Sequence, residues 1–259
     1  MPTENSWLVF VDRKELVVVF ALVLAGYGLG VLSAEHILPK ENHVELVPLP
    51  EKEFIASIDI VAVKAMGEAG VVNSAIVEIK PGKGRVLLAL NPFVEPDTQQ
   101  SAETAAYVAE KFTGKSLGEK DVIYSIDAGD VQLVGGPSAG AALALVTIAA
   151  IEEKDLNQSV GITGTILPDG SIGQIGGVLE KAAAEADANK TLFLVPSGQG
   201  TITYYEKQVK EEKKGAFVIQ QINYVPKKLG LNEFAKQQGW NLRIVEVANI
   251  KEAADYLFM

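Results

Sequence analysis

The chain has 259 residues, a formal net charge of −10 and a hydrophobic content of 48%. This length and apolar content suffice for one large domain or two small ones, and the acidic balance argues against a nucleic-acid partner, because phosphate binding requires a basic surface. The sequence has no cysteine and only two histidines, His36 and His43, which excludes disulfides, thiol catalysis and cysteine-ligated metal sites and disfavours a Ser-His-Asp triad or a histidine-rich zinc site.

An uncharged, strongly apolar run occupies residues 16–34 and follows a short N-terminal tail, residues 1–15. As a helix this run would span roughly 28 Å, close to the hydrocarbon thickness of a bilayer. It is predicted to be either a retained membrane anchor or a signal peptide cleaved after Ser33, and its length favours the anchor. Arg13 and Lys14 precede the run, which favours a cytoplasmic N-terminus and a chain that continues outside the cytoplasm.

The stretch after this run, residues 35–56, is polar and contains three prolines in its last eighteen residues. It is predicted to be an extended linker. The folded domain is therefore expected to comprise residues 57–259.

Alternating β-branched runs and apolar runs at helical spacing predict the elements of this domain. The expected strands are 57–66, 71–80, 85–90, 121–128, 160–166, 171–175, 191–196 and 242–247, and the expected helices are 98–112, the end of 135–151, 176–189, 231–239 and 251–258. Residues 201–230 are charged and weakly patterned, and they are predicted to be a surface excursion whose secondary structure the pattern does not specify. Strands first, then alternating helices and strands, predict an α/β domain of the α+β kind with a mixed sheet.

A glycine-proline turn, GGPSAG at residues 135–140, delivers Ser138 to the start of a helix that is apolar on nearly every side. Serine is a favoured helix N-cap, so one interpretation is a capping residue. A buried helix N-terminus also presents free backbone N–H groups and a partial positive charge, which could stabilise an oxyanion if Ser138 attacked a carbonyl. The turn alone leaves a helix cap and a nucleophile as alternatives.

Lys181, in the predicted helix GGVLEKAAAEA, is the candidate base. Its neighbours at helical spacing are small or apolar, while Glu180 and Glu185 flank it at other angles. A lysine on a helix is ordinarily solvated, but in an apolar pocket desolvation lowers the amine pKa from ~10.4 toward neutrality. The neutral amine could then accept the proton of Ser138, which gives a Ser/Lys dyad.

These motifs together resemble the proteolytic domain of the Lon proteases. GGPSAG, the stretch GITGTILPDGSIGQIGGVLEKAAAEA and the strand FLVP occur in the family's order, and the separation of 43 residues between Ser138 and Lys181 is the family's own. The resemblance covers roughly residues 57–196. It implies that Ser138 is the nucleophile, that Lys181 is the general base and that the hydroxyl of Thr163 holds the lysine amine.

The resemblance also implies that the backbone at Gly136, Pro137 and Ala139 binds the oxyanion and the substrate. The implied reaction is hydrolysis of polypeptide substrates through an acyl-enzyme, with neither a metal nor another cofactor. A homo-oligomer is implied as well, and Lon domains commonly form hexamers. Gly135 departs from the pattern, because Lon proteases usually have an acidic residue there.

A second departure is that the sequence contains no GxxxxGK[ST] phosphate-binding loop. The expected function is therefore that of an ATP-independent serine endopeptidase that acts on unfolded or flexible polypeptides outside the cytoplasm. The catalytic domain is expected to be anchored in the membrane through residues 16–34, or to be secreted after signal cleavage.

Two other classes of function stay open at this stage. A glycine-rich turn at a helix N-terminus can bind phosphate or another anion, although Pro137 removes one N–H donor from this turn. The chain could also be an inactive, membrane-tethered scaffold. Covalent labelling of Ser138 by a serine-reactive probe separates both alternatives from a peptidase.

Overall fold

A computed structural model of the chain describes residues 46–63, 70–89, 93–94, 96–126, 133–134, 136–214 and 217–258. These residues belong to one compact unit, Glu45–Met259. The predicted membrane or signal segment at 16–34 lies outside the described residues, as does Gly135. Within the described ranges, no helix is both long and apolar enough to cross a bilayer.

The first half of the unit is built around a four-stranded sheet. Its elements are β1 (Val47–Pro48), β2 (Phe54–Val63), β3 (Gly70–Pro81), β4 (Val86–Ala89), β5 (Phe93–Val94), α1 (Pro96–Thr113), β6 (Lys115–Ser116) and β7 (Lys120–Ile126). The strand order of the sheet is β2-β3-β7-β4, in which β4 runs parallel to β7 and the other pairs are antiparallel. β1 pairs in parallel with β6 beside it.

The second half adds a parallel sheet and its crossover helices. Its elements are β8 (Leu133–Val134), a 3-10 helix (Pro137–Ala139), α2 (Gly140–Glu152), β9 (Val160–Ile162), β10 (Thr165–Ile166), β11 (Ile172–Gly173), α3 (Val178–Asp187), β12 (Leu192–Pro196), β13 (Thr201–Lys214), β14 (Phe217–Gly230), α4 (Leu231–Gln237), β15 (Arg243–Val247) and α5 (Ile250–Leu257). The parallel strand order is β15-β12-β9, while β10 pairs with β11, β5 with β8, and β13 with β14. The prediction of a mixed α/β domain is therefore confirmed.

The helix α2 is the centre of the main core. All twelve residues from Gly140 to Ile151 are buried, and the helix packs against α1, β2, β3, β10 and α5. A helix that is apolar on every side is stable only where other elements surround it. Its N-terminus, which carries the serine turn, is consequently fixed by packing rather than by local propensity.

The ordered unit begins earlier than the expected boundary at residue 57. β1 lies inside the expected linker, residues 35–56, and Phe54 begins β2 with only 5% of its surface exposed. The amine of Lys120 also donates to the carbonyl of Pro50. Prolines suggested a linker here, but burial of Phe54 and this hydrogen bond hold the segment against the domain.

Residues 201–230, whose secondary structure the sequence pattern left open, have a regular structure. They form a long antiparallel hairpin, β13 and β14, paired in register from Thr201 opposite Gly230 to Lys214 opposite Phe217. Charged and amide side chains interrupt the alternation of apolar residues in both strands. This mixture hides the period-2 signal that normally reveals a strand.

A buried hydrogen bond joins the four-stranded sheet to α2 and allows a test of this packing. The hydroxyl groups of Tyr124 and Thr147 lie 2.6 Å apart, and Thr147 also donates to the carbonyl of Leu143 at 2.7 Å. Tyr124→Phe should lower the free energy of unfolding by about 1 kcal/mol, because one buried hydrogen bond is lost and the ring is kept. Chemical denaturation measures this loss. The matched control is Tyr107→Phe, whose side chain is 44% exposed; an equal loss in both variants would contradict the packing described here.

Candidate active site

Ser138 lies in the 3-10 helix that leads into α2. Gly136 begins this turn at φ 86°, a left-handed backbone conformation that favours glycine. The N-cap of α2 is Ala139, and no side chain caps either this helix or the 3-10 helix. The capping interpretation of Ser138 is therefore wrong, and its hydroxyl is left for another contact.

The contact that the Ser138 hydroxyl makes is with Lys181. Gly177, at φ 68°, begins α3 and brings Lys181 into its first turn, where the lysine is only 3% exposed. Its Nζ donates to Ser138 Oγ at 2.8 Å and to Thr163 Oγ1 at 3.1 Å. The structure thus brings together the three side chains that the sequence motifs single out.

Thr163 lies in a break between two strands. The sequence predicted one strand over 160–166, whereas β9 ends at Ile162 and β10 begins at Thr165. In the break the Thr163 hydroxyl donates to the Ser138 carbonyl at 3.2 Å, so its lone pairs are free to accept from the lysine amine. The backbone N–H of Gly164 donates to the same carbonyl at 2.9 Å. The break therefore ties the serine turn and the lysine amine to one segment of backbone.

The amine of Lys181 is destabilised as a cation. Burial lowers its pKa from the usual 10.5 to about 8, and the charge of Glu185 opposes this shift to a lesser extent. A pKa near 8 leaves an appreciable fraction of neutral amine at neutral pH. In that form the hydrogen bond reverses, because the serine hydroxyl donates to the lone pair of the amine.

Glu185 is a member of this site that the sequence analysis did not assign. It is fully buried, and among the described residues neither of its carboxylate oxygens has a hydrogen-bond partner. Burial raises its pKa from 4.5 to about 7, and the positive charge of Lys190 partly opposes this rise. Gly161 in β9 makes room for the carboxyl group, since a Cβ there would collide with it.

The sequence signal for Glu185 is its position four residues after Lys181, one helical turn away. On the other side of Glu185, Lys190 forms an ion pair with Asp59 at 2.6 Å and also donates to the carbonyl of Gln158. The series therefore alternates in charge: Lys181 is followed by Glu185, then by Lys190 and then by Asp59. The charge of Glu185 is therefore coupled to the protonation of the amine beside Ser138.

The three backbone positions expected to bind an oxyanion differ in what they can offer. Pro137 has no N–H group, and its carbonyl already accepts from the N–H of Gly140 and, at 3.3 Å, from the hydroxyl of Ser101. Pro137 is therefore suited to holding the turn. Gly136 and Ala139 retain N–H groups, and both residues are partly exposed.

A cleft flanks the first turn of α3, the turn that leads to Lys181. Its lining comes from the loop before α3, from the helix start and from the base of the β13–β14 hairpin. The lining residues are Gln174, Ile175, Gly177, Val178, Leu179, Glu180, Gly198, Gln199, Thr201 and Ile202. Across the described ranges, no group of three or more His, Cys, Asp or Glu side chains is placed to hold a metal ion.

The burial of Glu185 predicts a specific dependence of stability on pH. Because the folded protein holds the Glu185 proton more tightly than the unfolded chain does, the free energy of unfolding should fall as pH rises from 4.5 to 7. Relative to Glu185→Gln, which cannot titrate, the wild type should lose up to about 3 kcal/mol over this range. Denaturation at several pH values measures the difference.

The matched control for this titration is Glu180→Gln, which removes the same charge from the partly exposed side of α3. If the stability of Glu185→Gln relative to the wild type showed the same pH dependence as that of Glu180→Gln, the burial of the Glu185 carboxyl group would be contradicted.

Comparison with known proteins agrees with this arrangement. Residues 100–229 match the family model of the Lon protease (S16) C-terminal proteolytic domain, a region that includes Ser138, Thr163 and Lys181. The chain is similar to the archaeal Lon protease of Archaeoglobus fulgidus, with 28% identity over 49% of this chain and 21% of that protein. It is also similar to the archaeal Lon protease of Halobacterium salinarum, with 25% identity over 62% of this chain and 23% of that protein. Its identity to the archaeal Lon protease of Thermoplasma acidophilum is 26%, over 72% of this chain and 30% of that protein.

The chain matches less than a third of the length of each of these relatives. The family match, by contrast, covers half of the chain and includes the serine turn, the strand break and the lysine helix. The chain therefore belongs to the family of Lon protease C-terminal proteolytic domains.

Proposed function

We propose that the chain is a serine endopeptidase in which Ser138 is the nucleophile and Lys181 the general base. The observation that supports this assignment best is the 2.8 Å contact between the buried Lys181 amine and Ser138 Oγ. A neutral amine within hydrogen-bonding distance of a hydroxyl has the geometry that general-base catalysis requires. Thr163 acts as a positioning residue, since its hydroxyl holds the amine and the serine carbonyl together.

In the first step Ser138 Oγ attacks the carbonyl carbon of the scissile peptide bond while its proton passes to the neutral Lys181 amine. The carbonyl oxygen becomes an oxyanion, for which the N–H groups at Gly136 and Ala139 and the positive end of α2 provide stabilisation. The carbon–nitrogen bond then breaks, and the Lys181 ammonium gives its proton to the departing amine. An ester between Ser138 and the acyl half of the substrate remains.

Water completes the reaction. It attacks the ester carbonyl and gives a proton to the Lys181 amine, which is neutral again at this stage. The bond to Ser138 Oγ breaks, the carboxylic acid leaves, and Ser138 recovers its proton from the lysine. Every proton is exchanged among the serine, the lysine, the substrate and water, so the chain needs no metal and no further cofactor for these steps.

ATP-independent action on unfolded or flexible polypeptides is part of the proposal. The nearest approach in the sequence to a phosphate-binding loop is AEKFTGKS at 109–116. In the structure this stretch is the end of α1 followed by β6, whereas a phosphate-binding loop leads into a helix. The cleft beside α3 supports an extended polypeptide as substrate, because its lining includes Glu180, the residue next to Lys181 in the helix.

The proposal also covers the setting of the domain. The apolar run at 16–34 supports a membrane anchor or a cleaved signal, with the catalytic domain outside the cytoplasm. We further propose a homo-oligomer, for which a ring of six is the form suggested by the family resemblance.

The first test is covalent labelling of the full chain by a fluorophosphonate, together with casein hydrolysis in the absence of ATP. Ser138→Ala should abolish both, and Lys181→Met should reduce both by at least about 1,000-fold, because residues of a catalytic unit act together. The matched control is Ser197→Ala on the exposed loop after β12, which should react as the wild type does. Labelling that persists in Ser138→Ala would exclude Ser138 as the nucleophile, and an unreactive wild type would favour the scaffold or anion-binding alternative.

The second test is the pH dependence of acylation. The rate should rise with pH to a midpoint of about 8, since only the neutral Lys181 amine accepts the serine proton. In Glu185→Gln the midpoint should move to lower pH, and the two profiles should separate mainly above pH 7, where Glu185 is charged. The matched control is Glu233→Gln at an exposed position of α4, which should follow the wild type. A midpoint near 10.5, the usual value for lysine, would argue against a buried base.

A further inference from the structure

The carboxyl group of Glu185 is enclosed without a hydrogen bond and has a lysine on either side of it in the chain. It is fully buried, it lies against Gly161 of β9, and neither of its oxygens has a hydrogen-bond partner among the described residues. Lys181 precedes it by one helical turn, and the backbone N–H of Lys190 donates to its backbone carbonyl at 3.0 Å. Without a hydrogen-bond donor, a buried carboxylate persists only where a nearby positive charge offsets the loss of water.

Lys190 supplies such a charge and is held in place by contacts outside α3. Its side chain is only 6% exposed, and its amine donates to the carboxylate of Asp59 on β2 at 2.6 Å and to the carbonyl of Gln158. Neither acceptor lies on α3, so the position of this positive charge depends on how β2 packs against the helix. The side chain of Asp59 is 34% exposed, and this end of the ion pair therefore reaches the surface.

Few other charged groups lie on the elements around α3. The helix packs against β2, β3 and β12, and the buried carboxyl group contacts β9. Apart from Asp59, the charged side chains of these four strands are Glu78 and Lys80 of β3, which form an ion pair with each other. On α3 itself, Glu180 is partly exposed and Asp187 is exposed. Lys190 is accordingly the positive group that acts most strongly on the buried carboxyl group.

The charge of Glu185 thus depends on a pair of residues that forms no hydrogen bond with Ser138 or Lys181. Burial raises the pKa of Glu185, Lys190 opposes this rise, and Asp59 adds to it. The carboxylate in turn opposes the fall in the pKa of Lys181 that burial causes. Each of these effects has a definite sign, so removal of either member of the ion pair has a predictable consequence at the amine.

We propose that the Lys190–Asp59 ion pair is a positioning element of the active site, which sets the charge of Glu185 and, through that charge, the pH at which the catalytic amine becomes neutral. The proposal rests on the proposed role of Lys181 as the base and goes beyond it by naming the residues that control the base from a neighbouring strand. The two members of the pair act in opposite directions, because one carries a positive and the other a negative charge.

NMR titration of the full chain tests this opposition. The ¹³Cδ resonance of Glu185, assigned by its loss in Glu185→Gln, should titrate with a midpoint of about 7 in the wild type. Lys190→Met should raise this midpoint, because it removes the positive charge. Asp59→Asn should lower it, because the negative charge is lost while the amide oxygen can still accept from the lysine amine. The matched control is Lys120→Met, which replaces another buried lysine, on β7, and should leave the midpoint unchanged.

The Lys181 amine reports the consequence for the base. Lys190→Met should lower the midpoint of the Lys181 titration by about half a pH unit or more, because Glu185 then stays neutral at the pH where the amine titrates. In the Glu185→Gln background, Lys190→Met should not lower this midpoint, because the group through which it acts is absent.

A shift of the Glu185 midpoint in the same direction in both ion-pair variants would mark a structural effect of breaking the pair and overturn the proposal. A lowered Lys181 midpoint from Lys190→Met in the Glu185→Gln background would overturn it as well. If circular dichroism shows that Lys190→Met is unfolded, Asp59→Asn decides alone, and a Glu185 midpoint that does not fall overturns the proposal. Fluorophosphonate labelling of wild-type Ser138 reports separately on the peptidase: the expected shifts without labelling would overturn the peptidase and leave the electrostatic coupling standing.

Discussion

The amine of Lys181 is held 2.8 Å from Ser138 Oγ and away from water, and the chemistry proposed for this chain depends on that placement. In water the amine would be a cation at neutral pH and could not accept a proton. Burial lowers the pKa of the amine and so makes its neutral form accessible. The hydrogen bond to the Thr163 hydroxyl holds the Lys181 amine in position beside the serine. A residue type that usually serves as a surface charge thereby becomes a candidate base without histidine or metal.

The surrounding fold supplies what this placement requires. The helix α2 is buried on every side and fixes the serine turn, while the break between β9 and β10 binds the same turn through the Ser138 carbonyl. The arrangement also carries an electrostatic cost, because Glu185 is buried without a hydrogen-bond partner among the described residues. The same carboxylate acts on Lys181: above pH 7 its negative charge limits how far the pKa of the amine falls.

Much of this arrangement was predictable from sequence, and the exceptions have identifiable physical causes. The motif order and the spacing between Ser138 and Lys181 predicted their pairing, because both motifs are local turn and helix signals. Glu185 was missed because the helix pattern does not show that its side chain is buried. That burial is decided by the tertiary position of β9, where Gly161 leaves room for the carboxyl group. The hairpin at 201–230 was not predicted because a two-stranded ribbon lacks a buried face along most of its length. The early start of the domain was missed because prolines surround the two-residue strand β1.

An NMR titration of the Lys181 side chain in the full chain tests most directly whether its amine is a buried base. Its ¹³Cε resonance, assigned by its loss in Lys181→Met, reports the protonation of the amine independently of any enzymatic activity. A buried Lys181 amine should titrate with a midpoint of about 8. A midpoint at the usual lysine value of 10.5 would show that the amine is solvated and charged at neutral pH, and the assignment of Lys181 as a base would fail.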